Sequence, residues 1–147
     1  MDDHMTSDAV SRSMHAKDAS ADSLGIELVA ASPERAVARM VVRADMCNGF
    51  RILHGGMTFL LADSAMAFAS NADNVMALAS SAEIDWLAPV EVGQVLTATA
   101  ERRWSSGRST VWDIVVTAAP DAESEATVVA LVRGRTRRVN RSVLDAI

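Results

Sequence analysis

Segment 55–72 (GGMTFLLADSAMAFASNA) restricts the fold of this chain more than any other stretch. It holds no proline, its only glycines stand at its start, and its residues are strong helix formers, so a helix over about 55–71 is expected. Met57, Phe59, Leu60, Leu61, Ala62, Ala65, Met66 and Phe68 put apolar side chains on nearly every side of it. A helix that is apolar all round has to be buried all round. Asp63 interrupts this surface. Its helical neighbours Phe59, Leu60, Met66 and Ala67 offer it neither charge nor hydrogen bond, and an unpaired carboxylate in apolar surroundings is costly. The rest of the chain must enclose a helix about 25 Å long and accommodate one isolated acid.

The flanking segments have strand patterns. Segments 25–31 and 35–43 are joined by Ser32-Pro33-Glu34 and read as a hairpin. Ala36, Ala38, Met40 and Val42 lie on one face of its second arm, with Arg35 and Arg39 opposite. Segment 44–54 has no sustained period and reads as a loop. After the helix come strand candidates 75–87, 95–104, 109–117 and 127–139. In the last, Val128, Ala130, Val132 and Gly134 fall on one face, with Leu131, Arg133, Arg135 and Arg137 on the other. The turns between them are short, which favours antiparallel neighbours. A single apolar helix beside such a sheet is best buried if the sheet curls around it, a roll of the α+β class. Residues 1–23 read as a partly flexible lead-in with a short surface helix, 24–140 as one domain, and 141–147 as a tail.

The balance of charge removes several functions. A net charge of −5, 4% aromatic residues and no tyrosine argue against a nucleic-acid partner or a membrane surface. No apolar run approaches the roughly 18 residues of a membrane span. The N-terminal residues lack a basic region followed by an apolar one, so no secretory signal is expected, and the single cysteine, Cys47, suits a reducing cytoplasm. At 147 residues a domain buries only about 68–70% of its unfolded surface, so further core at a subunit interface would be useful.

Asp63 has two readings: a structural acid satisfied by loop amides or a neighbouring subunit, or a general base or nucleophile tuned by apolar surroundings. His54-Gly55-Gly56 opens the same helix, where free N–H groups can receive a developing oxyanion. Gly55 and Asp63 are eight residues apart, about 12 Å along a helix. Both groups must approach one carbonyl carbon within about 3–3.5 Å, which a single chain does not easily arrange. Two antiparallel copies of the helix could, with the donor from one subunit and the carboxylate from the other, so an obligate dimer is expected. Asn48, in the preceding loop, either makes a turn or orients water or a carbonyl. Arg133, Arg135, Arg137 and Arg138 form either a solvated face or a grip on the phosphates of a nucleotide-bearing substrate. Serine-elbow, phosphate-loop, dinucleotide and CxxC motifs are absent, and His4, His15 and His54 are not spaced as ligands. No metal or cofactor is expected.

Asn48-Gly49, His54-Gly55-Gly56, Phe59, Leu61-Ala62-Asp63 and Ala69-Ser70-Asn71 together resemble the signature of hotdog-fold acyl-CoA thioesterases, in particular the PaaI group of phenylacetate degradation. The resemblance extends over about 24–139 and includes AEIDWLAP at 82–89, LTATA at 96–100 and LVRG at 131–134. It implies an antiparallel sheet wrapped around the long helix, dimers that pair into a homotetramer, and hydrolysis of an aryl- or medium-chain acyl-CoA to the free acid and coenzyme A. It further implies that Asp63 activates water or attacks the thioester while the Gly55 amide polarises the carbonyl. His54 and Asn48 would position the reacting groups, Gly56 and Phe59 would border the substrate, and Ser80 or Ser81 would assist. The chain departs from the group at Lys17, where an asparagine can precede the acid matched by Asp18, and in the bulkier loop Phe50-Arg51-Ile52-Leu53. A hotdog dehydratase or a non-catalytic acyl-CoA-binding protein are the alternatives.

Overall fold

A computed structural model describes residues 3–147, with side chains from residue 7 onward. Two helices lead, α1 (Asp3–Ala16) and α2 (Ala19–Leu24). The hairpin β1 (Glu27–Ser32) and β2 (Arg35–Val41) follows, then a loop with one 3-10 turn. Next come the long helix α3 (Gly55–Ser70) and four strands: β3 (Val75–Trp86), β4 (Val95–Ser106), β5 (Ser109–Ala119) and β6 (Thr127–Ser142). All six strands join one antiparallel sheet in the order β1-β2-β4-β5-β6-β3. The α+β roll expected from the patterns is what forms.

Alternation sets the inner face of the sheet. Ala36, Ala38 and Met40 from β2, Leu96, Ala98 and Ala100 from β4, Trp112, Ile114 and Val116 from β5, and Ala130 and Val132 from β6 are all buried. Many of these are alanines, and that lets α3 lie close. A Cβ at Gly134 would overlap Met66 Sδ, so any side chain there would force Met66 to shift within the core. Leu61, Ala62, Ala65, Met66, Phe68 and Ala69 fill the other side of this core. The helix ends at Asn71, whose buried amide donates from Nδ2 to Ala77 O (3.1 Å) and accepts the Ala77 N–H at Oδ1 (2.8 Å). That pair ties the helix end to the start of β3.

Three expectations need correction. First, α3 is not enclosed on all sides by its own chain: Phe59, Leu60, Asp63, Ser64 and Ala67 are only partly buried. They recur at three- and four-residue steps and so form one stripe. A six-stranded sheet can curl over only part of the helix circumference, and this stripe faces away from it. Second, in place of one short surface helix the described part of the lead-in forms two helices. α1 is packed, with Val10 and Ser11 buried, Ser11 Oγ donating to Phe68 O (2.9 Å), and the His15 ring meeting Phe68 edge-on at 5.6 Å. The Asp18 side chain caps α2 by accepting the Ala21 N–H (2.9 Å), and Gly25, at φ +67°, turns the chain into β1. Third, Val128 does not share the inner face with Ala130. A register shift between Val116 and Thr117 of β5 turns Val129 inward and leaves Val128 exposed. The tail is anchored too, since Val143 is buried and its N–H bonds Asn74 O (3.1 Å).

β3 is an edge strand. Among the described residues nothing pairs with its outer side, and Leu78–Glu83 are exposed. Its far end carries Trp86, which decides the shape of the site below.

Candidate active site

The loop before α3 is held by its own backbone. Cys47 and Leu53 form an isolated bridge, the Asn48 N–H donates to Ile52 O (2.9 Å), and Arg51 turns at φ +64°. Asn48 Oδ1 accepts the Phe50 N–H (2.9 Å), so the oxygen makes the turn while the residue borders the cleft described below. The turn reading of Asn48 is thus observed, and its Nδ2 has no partner among the described residues. The Leu53 N–H donates to Val90 O (2.8 Å) and the His54 N–H to Met46 O (2.9 Å), which delivers the chain to the helix start at a defined angle.

At that start the N–H groups are already shared out. His54 is the N-cap, and its Nδ1 accepts the Gly56 N–H at 3.1 Å. The Met57 N–H goes to His54 O at 2.9 Å. The Gly55 N–H has no acceptor among the described residues. Of the glycine pair, then, Gly55 can donate to a ligand and Gly56 is occupied. Because Nδ1 accepts, the neutral His54 ring carries its proton on Nε2 and presents a donor outward.

Gly55 opens onto a cleft of about 490 Å³, bordered by Asn48, Ile52 and Leu53 from the loop, Thr58 from α3, Trp86 through Val90, and Val129. Its walls are mostly apolar with a few convergent polar groups, the usual make-up of a small-molecule site. Trp86 and Thr58 were not singled out by the sequence. Alternation puts Trp86 on the same strand face as Ile84, and its side chain is 56% exposed. Its indole Nε1–H donates to Gly55 O at 3.1 Å, a contact between residues 31 apart that no local pattern signals. The absence of a side chain at Gly55 also has a cause other than ligand approach: a Cβ would fall 2.9 Å from Trp86 Nε1.

Asp63 lies two helical turns on, in the open stripe of α3, half-buried and without a hydrogen-bond or ion-pair partner among the described residues. Burial raises its carboxyl pKa above the ordinary range, and the nearby negative charge of Asp18 raises it further. Asp63 does not border the Gly55 cleft of its own chain. Phe59 belongs to the same open stripe.

The remaining candidates lie elsewhere. Arg133 and Arg135 project from the outer face of β6, where Ser81 of β3 pairs with Arg135 and helps border a separate hollow of about 260 Å³. Arg133 is engaged by Asp113 through two bonds of 2.8 and 3.2 Å, and Arg103 joins the same carboxylate at 3.0 Å. Ser80 Oγ donates to Arg135 O (3.3 Å). Within one chain these residues are divided from the Gly55 cleft by the thickness of the sheet. Among the described residues no three His, Cys, Asp or Glu side chains gather as a metal site, and no helix is long and apolar enough to cross a membrane.

An antiparallel sheet curled around one long helix is the hotdog fold, and the family and relatives that match it make the chain a thioester hydrolase. The chain belongs to the Thioesterase superfamily, whose family model matches residues 50–125. It is 38% identical over 130 residues to the acyl-coenzyme A thioesterase PaaI of Escherichia coli K12, covering 88% of this chain and 89% of that protein. The structure of the E. coli PaaI protein from the phenylacetic acid degradation operon superposes with a TM-score of 0.88 at 34% identity, over 96% of this chain and 99% of that one. The TT0310 protein of Thermus thermophilus follows at TM-score 0.77 and 32% identity, over 84% and 99%. The resemblance drawn from the motifs is borne out at the level of family and fold.

Proposed function

We propose that this hydrolase cleaves acyl-coenzyme A thioesters, with an aryl or medium-chain acyl group of the phenylacetyl kind, to the free acid and coenzyme A. The observation that carries the reading is Asp63: a half-buried acid with a raised pKa and no partner, in a chain whose Gly55 N–H is also unspent. The name of the E. coli relative and the apolar cleft beside Gly55 support an acyl-CoA substrate.

The thioester carbonyl oxygen accepts the Gly55 N–H. Asp63 takes a proton from water as it attacks the carbonyl carbon, or attacks that carbon itself to give an anhydride that water then opens. The tetrahedral adduct collapses with loss of the coenzyme A thiolate, which leaves as the thiol once protonated. Solvent oxygen found in Asp63 after a single turnover in labelled water marks the anhydride route, with water opening the anhydride at the Asp63 carbonyl. His54 Nε2–H and Asn48 Nδ2 are the donors that would orient water and substrate. Ser81, Arg133 and Arg135 would meet the nucleotide end of the substrate from a neighbouring subunit.

The site is completed by a dimer. If Gly55 of one α3 stands level with Asp63 of an antiparallel copy, the two-fold axis passes the midpoint, residue 59. Phe59 then meets its own copy, and the open stripe of Phe59, Leu60, Asp63 and Ala67 is covered. The unpaired edge of β3 supports this assembly, because an exposed edge of 12 residues is a site for strand pairing. Dimers would pair through the outer sheet face, where Trp104, Val115 and Leu131 are exposed, to give a homotetramer. The single free cysteine fits residence in a reducing cytoplasm.

The test is Asp63→Ala assayed for thiol release from a panel of acyl-CoAs. A general base contributes about 10²–10⁴-fold, so turnover should fall at least that far while the oligomer persists. Wild-type-like turnover in the variant would remove Asp63 from the mechanism. Light scattering should give a mass two or four times the 15.6 kDa of one chain.

A further inference from the structure

The proposed oxyanion donor sits on the residue least able to hold it still. Gly55 is the first residue of α3, its N–H lacks an intrahelical partner, and glycine has more backbone freedom than any other residue. A donor is effective in catalysis when it is already aimed at the developing charge. Something outside the helix must supply that order.

We infer that Trp86 is a positioning residue that immobilises Gly55 and so aims its amide into the cleft. This inference rests on the oxyanion role proposed above. The indole acts on both soft rotations of Gly55. Its Nε1–H is bonded to Gly55 O at 3.1 Å, which fixes the peptide plane that follows Gly55. Its Nε1, Cε2 and Cζ2 atoms stand 2.9, 3.0 and 3.3 Å from where a Cβ would be, so the ring occupies the space a side chain would fill and blocks rotation toward it. The same ring forms a wall of the cleft beside Gly55.

The backbone that carries the indole is anchored in the sheet. Trp86 pairs with Ala130 in the β3–β6 ladder, and the next two N–H groups, of Leu87 and Ala88, both reach Val129 O, at 2.8 and 3.3 Å. Core packing does not account for the residue. Trp112 is 1% exposed and is a core tryptophan, whereas Trp86 is 56% exposed. A large side chain left that open, with its one donor on the helix start, is placed for what it touches.

Trp86→Phe in the full-length protein tests the inference, because phenylalanine keeps an aromatic ring against Gly55 and removes the N–H. The expected result is a fall in kcat of about tenfold with KM within about twofold, less than the 10²–10³-fold of deleting an oxyanion donor outright. The melting transition should be unchanged, and nitrogen-15 relaxation should show the Gly55 amide order parameter falling from the rigid value of about 0.85 toward 0.6. Trp86→Ala should lower kcat further and raise KM as the cleft wall is lost. Wild-type kcat and an equally rigid Gly55 amide in Trp86→Phe would overturn the inference while leaving the hydrolase reading intact. Wild-type protein that releases no thiol from any acyl-CoA would overturn the substrate reading, and the Gly55 order parameter would still decide whether Trp86 positions it.

Discussion

Complementation between two inactive variants tests the shared site directly. Asp63 stands eight residues beyond Gly55 on a continuous helix, so the two are separated by about 12 Å, while both must come within about 3–3.5 Å of the reacting atoms. One variant is Asp63→Ala. The other is Gly55→Pro, which deletes the free N–H with little cost to the helix. Proline is favoured at the first helical position, and His54, at φ −61° and ψ 131°, already has the conformation a residue before proline adopts. The added ring would displace Trp86 from Gly55 O, a loss confined to the half-site that the variant already disables. Each variant alone should lose about 10²-fold or more in kcat. In a heterodimer the site that combines Gly55 of the first chain with Asp63 of the second is intact, and the other lacks both groups. Random 1:1 mixing of a two-fold dimer makes half the dimers mixed, each with one working site of two, so co-expression should restore roughly a quarter of wild-type turnover. The assay is thiol release from co-expressed, differently tagged chains, with the mixed species isolated through both tags. Mixed dimers no more active than the parent variants would refute the argument, since that result follows if each chain holds a whole site.

Other outcomes follow from the same geometry. Turnover needs ionised Asp63, whose pKa is raised first by burial and then by Asp18, so the rising limb of the pH–rate profile should lie above the carboxylate value of about 4. Asp18→Asn keeps the α2 cap and should move that limb to lower pH, which a stopped-flow pH series would read. A raised pKa means that the folded protein holds the Asp63 proton more tightly than the unfolded chain, so protonation stabilises fully below about pH 4 and this is lost as pH rises through the folded pKa. Asp63→Asn should therefore melt higher than wild type at pH 7, with the margin vanishing toward pH 4; a margin constant with pH would refute the linkage. Asn71→Ala leaves both backbone groups of Ala77 without their side-chain partners and should cost about 1–3 kcal/mol in urea denaturation.

Much of the fold is legible along the chain because it depends on local regularity. Residue-by-residue alternation marks the strands, and the 55–71 segment declares its helix by composition alone. The match ends where long-range register takes over. Val128 and Val129 exchange faces because β6 carries one extra residue, Val129, opposite the Val116–Thr117 step of β5, and simple alternation along β6 does not report that. The packing of α1 escapes a local reading because its contacts, Ser11 to Phe68 and His15 to Ile26, join residues of different elements.

The same division runs through the site. By itself the sequence determined that an apolar helix carries one unpaired acid, that His-Gly-Gly opens it, and that the spacing of the two exceeds the reach of one active site, since these follow from residue type and helical rise. Only the tertiary structure decided which N–H is free. The His54 ring takes Gly56, His54 O takes Met57, and Gly55 is left over. It alone showed that Trp86, 31 residues away, supplies the bond and the bulk that Gly55 lacks. Hydrogen bonds and ring contacts depend on distances of a few tenths of an ångström, which the folding of the whole sheet sets and local propensity does not.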